Sequence, residues 1–329
     1  MIIDIFNEIP WQAFQNLEFI KKLPLNEQKE KYDKYISELS LAKDFELQYQ
    51  VKGPRSGNTP PACSTGMDVV FCIDFTGSMG AAIDAIKTDV TNIVNTIIAE
   101  SGDDYRLGLV LFDAYRSIQL PQPGFTNYYL KSAYTGLLAS QKIITPYTTP
   151  GPNSGYNVNN PLPPPAYDVY QALTAVEMMS TKNQASFDAI LQKLNTTDFP
   201  IGGGAISNAP EPGDLAIEEI INNDFAGAFR SGVAKLIITI TDNYPGGNAE
   251  DYDADVISRL QTLVTTSTSQ QIQHLVMLEL DPAQNLNPDP MAPNTGYRIL
   301  SDNTNGEFVN SFTPTNIITA IENICVENA

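Results

Sequence analysis

Apolar residues along this chain fall into short continuous runs that alternate with longer amphipathic stretches. Five runs are typical of strands, the first four being apolar enough to be covered on both faces: 67–74, 105–113, 233–242, 272–280 and 306–310. Stretches with apolar residues at helical spacing lie between and after these strands, the main ones being 83–98, 184–194, 212–222, 253–268 and 314–326. This alternation predicts an α/β fold with a doubly wound, mostly parallel central sheet flanked by helices.

The first part of the chain has a different composition from the rest. Residues 1–51 are rich in Lys, Glu, Gln and Leu and predict a short N-terminal helical extension. Two short helices bury little surface by themselves, so we interpret 1–51 as a docking segment. Residues 52–62 collect Pro, Gly, Ser and Asn, which indicates a linker. The main domain is therefore expected at 63–329.

One stretch of the main domain breaks the alternation of strands and helices. Residues 117–183 are rich in Pro, Tyr and Asn, and PYTTPGPNSGYNVNNPLPPPAYD has neither a helical nor a strand period. One interpretation is a tolerated surface insertion, because longer loops cost little extra closure entropy. The other is a binding loop, because surfaces of Tyr, Asn, Gly and Ser make adaptable contacts. The sequence leaves both open.

Composition narrows the functional classes. Hydrophobic residues make up 42 % of the chain, enough for a full core, and the formal net charge is −19. This charge disfavours a nucleic-acid-binding surface and docking on an anionic membrane. No apolar run reaches the roughly 20 residues of a membrane span, and the acidic N-terminus differs from a Sec signal peptide. We expect cytoplasmic synthesis without membrane insertion.

The cysteine and histidine content limits the chemistry further. Three cysteines exclude a disulfide-rich scaffold or paired CxxC zinc module, and Cys72 falls within an apolar strand as a core residue. The one histidine, His274, lies in the strand-like run QIQHLVMLEL, where we expect a strand residue. Metal binding by this chain would therefore depend on oxygen ligands.

Acids and hydroxyls follow two of the predicted strands. Asp74 ends the first strand and is followed by Thr76 and Ser78, and Asp242 ends the third after Thr241. Ligands bind parallel sheets beyond the carboxyl ends of the strands. This set of hard oxygen donors suits Mg²⁺, with Mn²⁺ or Ca²⁺ as alternatives. Taken singly, each residue could also be a turn or helix cap.

These segments resemble a known family. DVVFCIDFTGSMG is similar to the first signature of the von Willebrand factor type A domain, Asp-x-Ser/Thr-x-Ser, with Asp74, Thr76 and Ser78 at its ligand positions. ITITDNYPGG resembles the third metal loop, with Asp242 as its acid. The resemblance covers residues 63–329 apart from the insertion. It implies a metal-ion-dependent adhesion site.

The family's second metal loop is the least regular match. GGGAISNAPEPGDLAIEEI resembles a Gly-Gly-Gly-Asp-x-Pro-Glu variant, in which the glutamate after proline, here Glu211, serves the metal. Ala205 stands where that variant has Asp, and three residues are extra before Pro210. Asp214 and Ser207 remain alternative ligands.

The resemblance also bears on the other cysteines. Cys63 precedes the first strand and Cys325 ends the last helix. Several extracellular members of the family join these two ends by a disulfide, which implies the same pair here. The alternative is two free thiols, which the expected absence of Sec export favours.

The resemblance implies a function in binding. Members of the family mostly bind a protein that gives a carboxylate to the metal, so we expect a metal-dependent adhesion module. The alternative is a structural component of a phage tail, an injection system or a similar released particle, docked through residues 1–50. We do not expect an enzyme, because Thr76 stands where an Asp-x-Asp phosphatase needs an acid and no nucleotide phosphate loop occurs.

Overall fold

A computed structural model of the chain describes Lys29 and residues 60–116, 142–146, 169–196, 211–246, 254–279, 295–310 and 313–327. The chain divides into two compact units, residues 1–57 and 58–329. Lys29 is helical. Apart from Lys29 and residues 60–62, the predicted docking segment and linker lie outside the described residues. The second unit carries all the features below.

Seven strands form a single sheet within the described residues: β1 Met67–Asp74, β2 Tyr105–Arg116, β3 Lys142–Pro146, β4 Val169–Thr181, β5 Ala234–Thr241, β6 Ile272–Leu278 and β7 Glu307–Val309. Their order across the sheet is β3-β4-β2-β1-β5-β6-β7. From β2 through β1, β5 and β6 to β7 every pairing is parallel. Strand β4 is antiparallel to both β2 and β3. The predicted mostly parallel central sheet is confirmed.

Six α-helices accompany the described sheet: α1 Gly80–Glu100, α2 Gln184–Leu191, α3 Gly213–Asn222, α4 Ala254–Gln270, α5 Arg298–Asn303 and α6 Pro314–Glu327. They cover both faces of the sheet. Successive residues of a strand point to opposite faces, and alternate residues of β1 belong to two different cores. In β1, Phe71 and Ile73 join the core formed with α1, α2 and α6. Val70 and Cys72 join the core formed with α3, α4 and α5. None of the described helices has the length and apolarity needed to cross a membrane.

The described parts of residues 117–183 differ from the expectation of a stretch without regular structure. Both β3 and β4 lie in this range and extend the sheet beyond β2. The exposure of β4 changes along its length, with Leu173 and Ala175 buried but Met178 38 % exposed. Its sequence therefore lacks the continuous apolar run that marks β1. The other residues of the expected insertion lie outside the described part of the chain.

Cys63 and Cys325 form a disulfide, with their Cα atoms 5.4 Å apart. The bond joins the 3₁₀ turn Cys63–Thr65, which precedes β1, to the last helix α6. Both residues are buried in the core beneath α1 and α6. The pairing is the one that the family resemblance implied, and it ties the two ends of the main domain together. Cys72 is a free, buried cysteine, as expected of a core residue.

Candidate metal site

The first part of the site is the turn that follows β1. Asp74 is the last residue of this strand and has no exposed surface. The chain then turns through Thr76 into a short 3₁₀ helix, Gly77–Met79, which leads directly into α1. Thr76 is 3 % exposed whereas Ser78 is exposed. The turn thus runs from a buried carboxylate to a hydroxyl at the surface.

The Thr76 hydroxyl of this turn contacts the Asp74 carboxylate, and the Ser78 hydroxyl contacts that of Thr76. Asp74 Oδ1 accepts hydrogen bonds from the backbone N–H of Thr76 at 2.9 Å and from Thr76 Oγ1 at 2.8 Å. Ser78 Oγ lies 3.2 Å from Thr76 Oγ1. The structure therefore brings Asp74, Thr76 and Ser78 into one continuous group of oxygens.

The second part of the site is the turn that follows β5. Thr241 Oγ1 donates to Asp74 Oδ2 at 2.9 Å, which joins this turn to the end of β1. The next residue, Asp242, is partly exposed. Its charge lies close enough to raise the pKa of Asp74. Asp242 therefore stands near the first group of oxygens.

The Asp74 carboxyl is a buried acid with a second acid, Asp242, nearby. Desolvation by burial, followed by the charge of Asp242, raises its pKa to about 7 from its ordinary value of 3.8. The hydrogen bonds from Thr76 and Thr241 oppose this rise. Within the described part of the chain, these hydroxyl and backbone donors are its partners and no Lys, Arg or His pairs with it. A cation beside Asp74 would relieve the cost of burying its charge.

Glu211 lies beside the turn after β5. It is 6 % exposed and pairs through its backbone as an isolated bridge with Pro245. Its N–H donates to Tyr244 O and its carbonyl accepts from Gly246 N, each at 2.9 Å. Two backbone hydrogen bonds thus hold Glu211, which lies just before α3, against the turn that carries Asp242.

Asp214 and Ser207 are the alternatives to Glu211 as a metal ligand. Asp214 is fully buried in the first turn of α3, where it forms an ion pair with Arg259 of α4. An acid already paired with a guanidinium in this way is a weaker candidate for a metal ligand, because breaking a buried ion pair is costly. Ser207 lies outside the described residues. Glu211 is therefore the better placed acid of the described pair.

Gly213, two residues after Glu211, packs closely against the rings of Tyr297 and Phe112. A Cβ added to Gly213 would lie 2.1 Å from the hydroxyl of Tyr297 and 2.8 Å from Phe112 Cζ. A side chain at this position would have to displace both rings. Burial and then the charges of Asp214, Cys72, Asp74 and Glu211 raise the pKa of Tyr297 well above its ordinary range. Tyr297 therefore lies close to acids of both the first turn and the Glu211 loop.

The donors at this edge are mixed in type. Among the described residues, no three His, Cys, Asp or Glu side chains form a group that could hold a metal ion. The oxygens that come together are instead the Asp74 carboxylate and the hydroxyls of Thr76 and Ser78, with Asp242 beside them. Carboxylate and hydroxyl oxygens suit Mg²⁺, Mn²⁺ or Ca²⁺, so the residues present fit such an ion.

The part played by Thr241 is not evident from the sequence. Its hydroxyl joins the two turns, yet the sequence shows only a threonine at the end of an apolar strand. The available signal was its place directly before an acid at a strand end.

The one histidine behaves as expected: His274 lies in β6 without exposed surface, and burial lowers its pKa to about 3. Its Nε2 lies 2.9 Å from Ser267 Oγ.

Comparisons with known proteins give distant matches. No family model matches the chain, and no curated protein matches it. The pilus adhesin SpaC from Lactobacillus rhamnosus GG, in an open conformation, is 13 % identical over 80 % of this chain and 30 % of its own, with a TM-score of 0.43.

A second solved structure is that of proximal thread matrix protein 1 from the mussel byssus, with a zinc-occupied MIDAS motif. It is 10 % identical over 81 % of this chain and 47 % of its own, with a TM-score of 0.38. This chain thus spans less than half the length of either protein.

Proposed function

We propose that this chain is a metal-dependent protein-binding module of the von Willebrand factor type A kind. Asp74, Thr76, Ser78 and Asp242 would hold one Mg²⁺ ion, with Glu211 as the acid of the second loop. A partner protein would add a carboxylate of its own to the ion. The motif resemblance and the convergence of the first and third loops at one edge of the sheet support this proposal.

The burial of Asp74 beside a second acid, Asp242, is the observation that carries the proposal. A buried ionised carboxylate is costly unless a cation or several hydrogen bonds offset the loss of solvent. Asp74 has three hydrogen bonds but a second acid, Asp242, nearby, and its pKa is raised to about 7. A divalent cation between these acids would offset both charges.

The choice of ligands suits the capture of an outside acid. Thr76 and Ser78 can give oxygens to an ion without adding negative charge, so the ion keeps more of its attraction for an external carboxylate. When bound, the ion supplies an open coordination position, because Mg²⁺ retains several waters that an outside ligand can replace. The exposed Ser78 lies on the solvent side of the group, where a partner would approach. We propose binding, and no catalytic turnover, at this site.

The disulfide bears on where the module works. Structural disulfides persist in oxidising surroundings and are rare in the cytosol. The Cys63–Cys325 bond therefore supports a protein that acts outside the cytoplasm, such as a component of a released particle or virion. Attachment to a larger assembly through residues 1–50 would be compatible with this location.

Paired peptide libraries test the adhesive function directly. The immobilised full chain is offered peptides carrying a single Glu, and the same peptides with Gln instead. We expect Mg²⁺-dependent retention of the Glu peptides, with loss in EDTA and in the Ser78→Ala variant. Ser269→Ala is the matched control, since it removes an exposed serine at the end of α4, just before β6 begins and so at the opposite edge of the sheet from the site. Equal retention of Glu and Gln peptides, or retention that survives EDTA, would contradict the proposal.

A further inference from the structure

Thr241 lies between the two turns that form the site. It ends β5 and has no exposed surface. Its hydroxyl is 2.9 Å from Asp74 Oδ2, and it accepts a hydrogen bond from the N–H of Asn243 at 3.2 Å. The Asn243 carbonyl, also at 3.2 Å, is a second acceptor within its reach. A single side chain thus connects the end of β1 with the turn that carries Asp242.

The direction of these hydrogen bonds follows from the chemistry of the groups. A threonine hydroxyl has one hydrogen to donate and two lone pairs that can accept. The Asp74 carboxylate is a stronger acceptor than the Asn243 carbonyl and lies closer, so the hydrogen points to Asp74. The N–H of Asn243 then fills a lone pair of the same oxygen. Both roles of the hydroxyl are in use at once.

We propose that Thr241 is the residue that positions Asp74 for the metal. Thr76, in the turn that follows Asp74, donates a hydrogen bond to Asp74 Oδ1, and Thr241, in the neighbouring strand β5, donates one to Asp74 Oδ2. Together they fix the rotation of the carboxylate and the distance between the two turns. Partners of this kind commonly change metal affinity 10- to 100-fold when they are removed. This inference rests on the proposed metal-binding function.

The same strand contains a control for this proposal. Thr239 lies two residues earlier in β5 and also has no exposed surface. Its hydroxyl has no hydrogen-bond partner among the described residues. Replacing either threonine by valine keeps the branched shape and removes one buried hydroxyl. Only the change at residue 241 removes a bond to Asp74.

Titration of Mn²⁺ into the full chain tests the proposal. We expect Thr241→Val to weaken Mn²⁺ binding about 10-fold or more, in line with loss of a hydrogen bond to a charged group. Thr241→Ser keeps the hydroxyl and should stay within about 3-fold of the wild type. Thr239→Val should stay within about 2-fold. Thermal unfolding in EDTA gives a second readout, in which Thr241→Val should lower the midpoint more than Thr239→Val does.

The outcomes separate this inference from the proposed function. Wild-type binding that Thr241→Val leaves within about 2-fold would overturn the positioning role while the metal site stands. Failure of Thr241→Ser to restore binding would also overturn it, because the hydroxyl would then not be the active group. If the wild type binds no Mn²⁺ at millimolar concentration, the proposed function and the positioning role both fail.

Discussion

Strand β1 carries a fully buried aspartate near each end, and their surroundings are opposite. Asp68 and Asp74 both have no exposed surface and lie on the same face of the strand. Asp68 binds two guanidinium groups, those of Arg106 and Arg230. Asp74 receives hydrogen bonds from threonines and has another acid, Asp242, for a neighbour.

The two pKa values follow from these partners. Burial tends to raise the pKa of both acids. At Asp68 the hydrogen bonds and charges of Arg106 and Arg230 outweigh burial, so the pKa falls below its ordinary value of 3.8. At Asp74 burial and Asp242 prevail, and the pKa rises to about 7. One end of the strand is neutralised by arginines, whereas the other end places two acids near each other.

The largest expected effect is at the neutralised end. Asp68→Asn removes the charge between two largely buried arginines, so we expect the free energy of unfolding to fall by about 3 kcal/mol. Urea unfolding in EDTA measures this loss. Asp103→Asn is the control, because its ion pair with Lys182 is largely exposed, and it should leave the stability nearly unchanged. Similar effects of the two variants would mean that the Asp68 cluster is not a stabilising core.

The same substitution at the other end should have the opposite sign. At pH 8 in EDTA, Asp74→Asn removes a buried charge that lacks a cation, so we expect the free energy of unfolding to rise by about 1–2 kcal/mol. With Mg²⁺ at 100 times its dissociation constant, the wild type should gain about 2.7 kcal/mol while the variant gains none. Thermal or urea unfolding in both conditions measures the difference. Destabilisation by Asp74→Asn in EDTA would show that the carboxylate is satisfied without a metal.

The two ends should also respond to pH in opposite directions. The pKa of Asp74 is raised on folding, so without metal its stabilising contribution is complete below pH 3.8 and is lost as the pH rises through about 7. The pKa of Asp68 is lowered, so its contribution is present above pH 3.8 and is lost as the pH falls below that value. Unfolding of the wild type and each Asn variant across pH 3–8 isolates the two contributions. Parallel curves for the Asp74 pair between pH 4 and 7 would contradict the raised pKa.

The sequence predicted β1, and the place of Asp74 at its end, because these signals are local. A continuous apolar run that ends in an acid and two hydroxyls is visible within MDVVFCIDFTGS. The cluster at the other end of the strand is not visible in this way. Asp68 meets Arg106 from 38 residues away and Arg230 from 162 residues away, and only the pairing of β1 with β2 and β5 brings them together.

Thr241 and β4 escaped prediction for related reasons. The role of Thr241 depends on its hydrogen bond to the Asp74 carboxylate, 167 residues away in the sequence. The residues next to Thr241 in the sequence therefore show only a strand end. Strand β4 is antiparallel to its neighbours and lies next to β3, the edge strand of the described sheet. Met178 of β4 is 38 % exposed. Its apolar pattern is therefore mixed, and the proline-rich residues before it dominate that part of the sequence.

The smallest expected effect concerns the acid of the second loop. Glu211→Gln should weaken Mn²⁺ binding about 3- to 10-fold and leave the stability in EDTA nearly unchanged, because the backbone bonds of Glu211 remain. Asp214→Asn should instead lower stability with or without metal, since it breaks the ion pair with Arg259. Calorimetric titration and unfolding of both variants measure these effects. The reverse pattern would make Asp214 the ligand.

The most direct test of the central claim is the number of metal ions that the chain binds. Equilibrium dialysis of the full chain against Mn²⁺ at pH 8 should give one ion for each wild-type molecule and none for Asp74→Asn at the same concentrations. Asp68→Asn, if folded, should still bind one ion, because the arginine cluster lies at the opposite end of β1. No bound ion in the wild type at millimolar Mn²⁺, or equal binding by Asp74→Asn, would contradict the account.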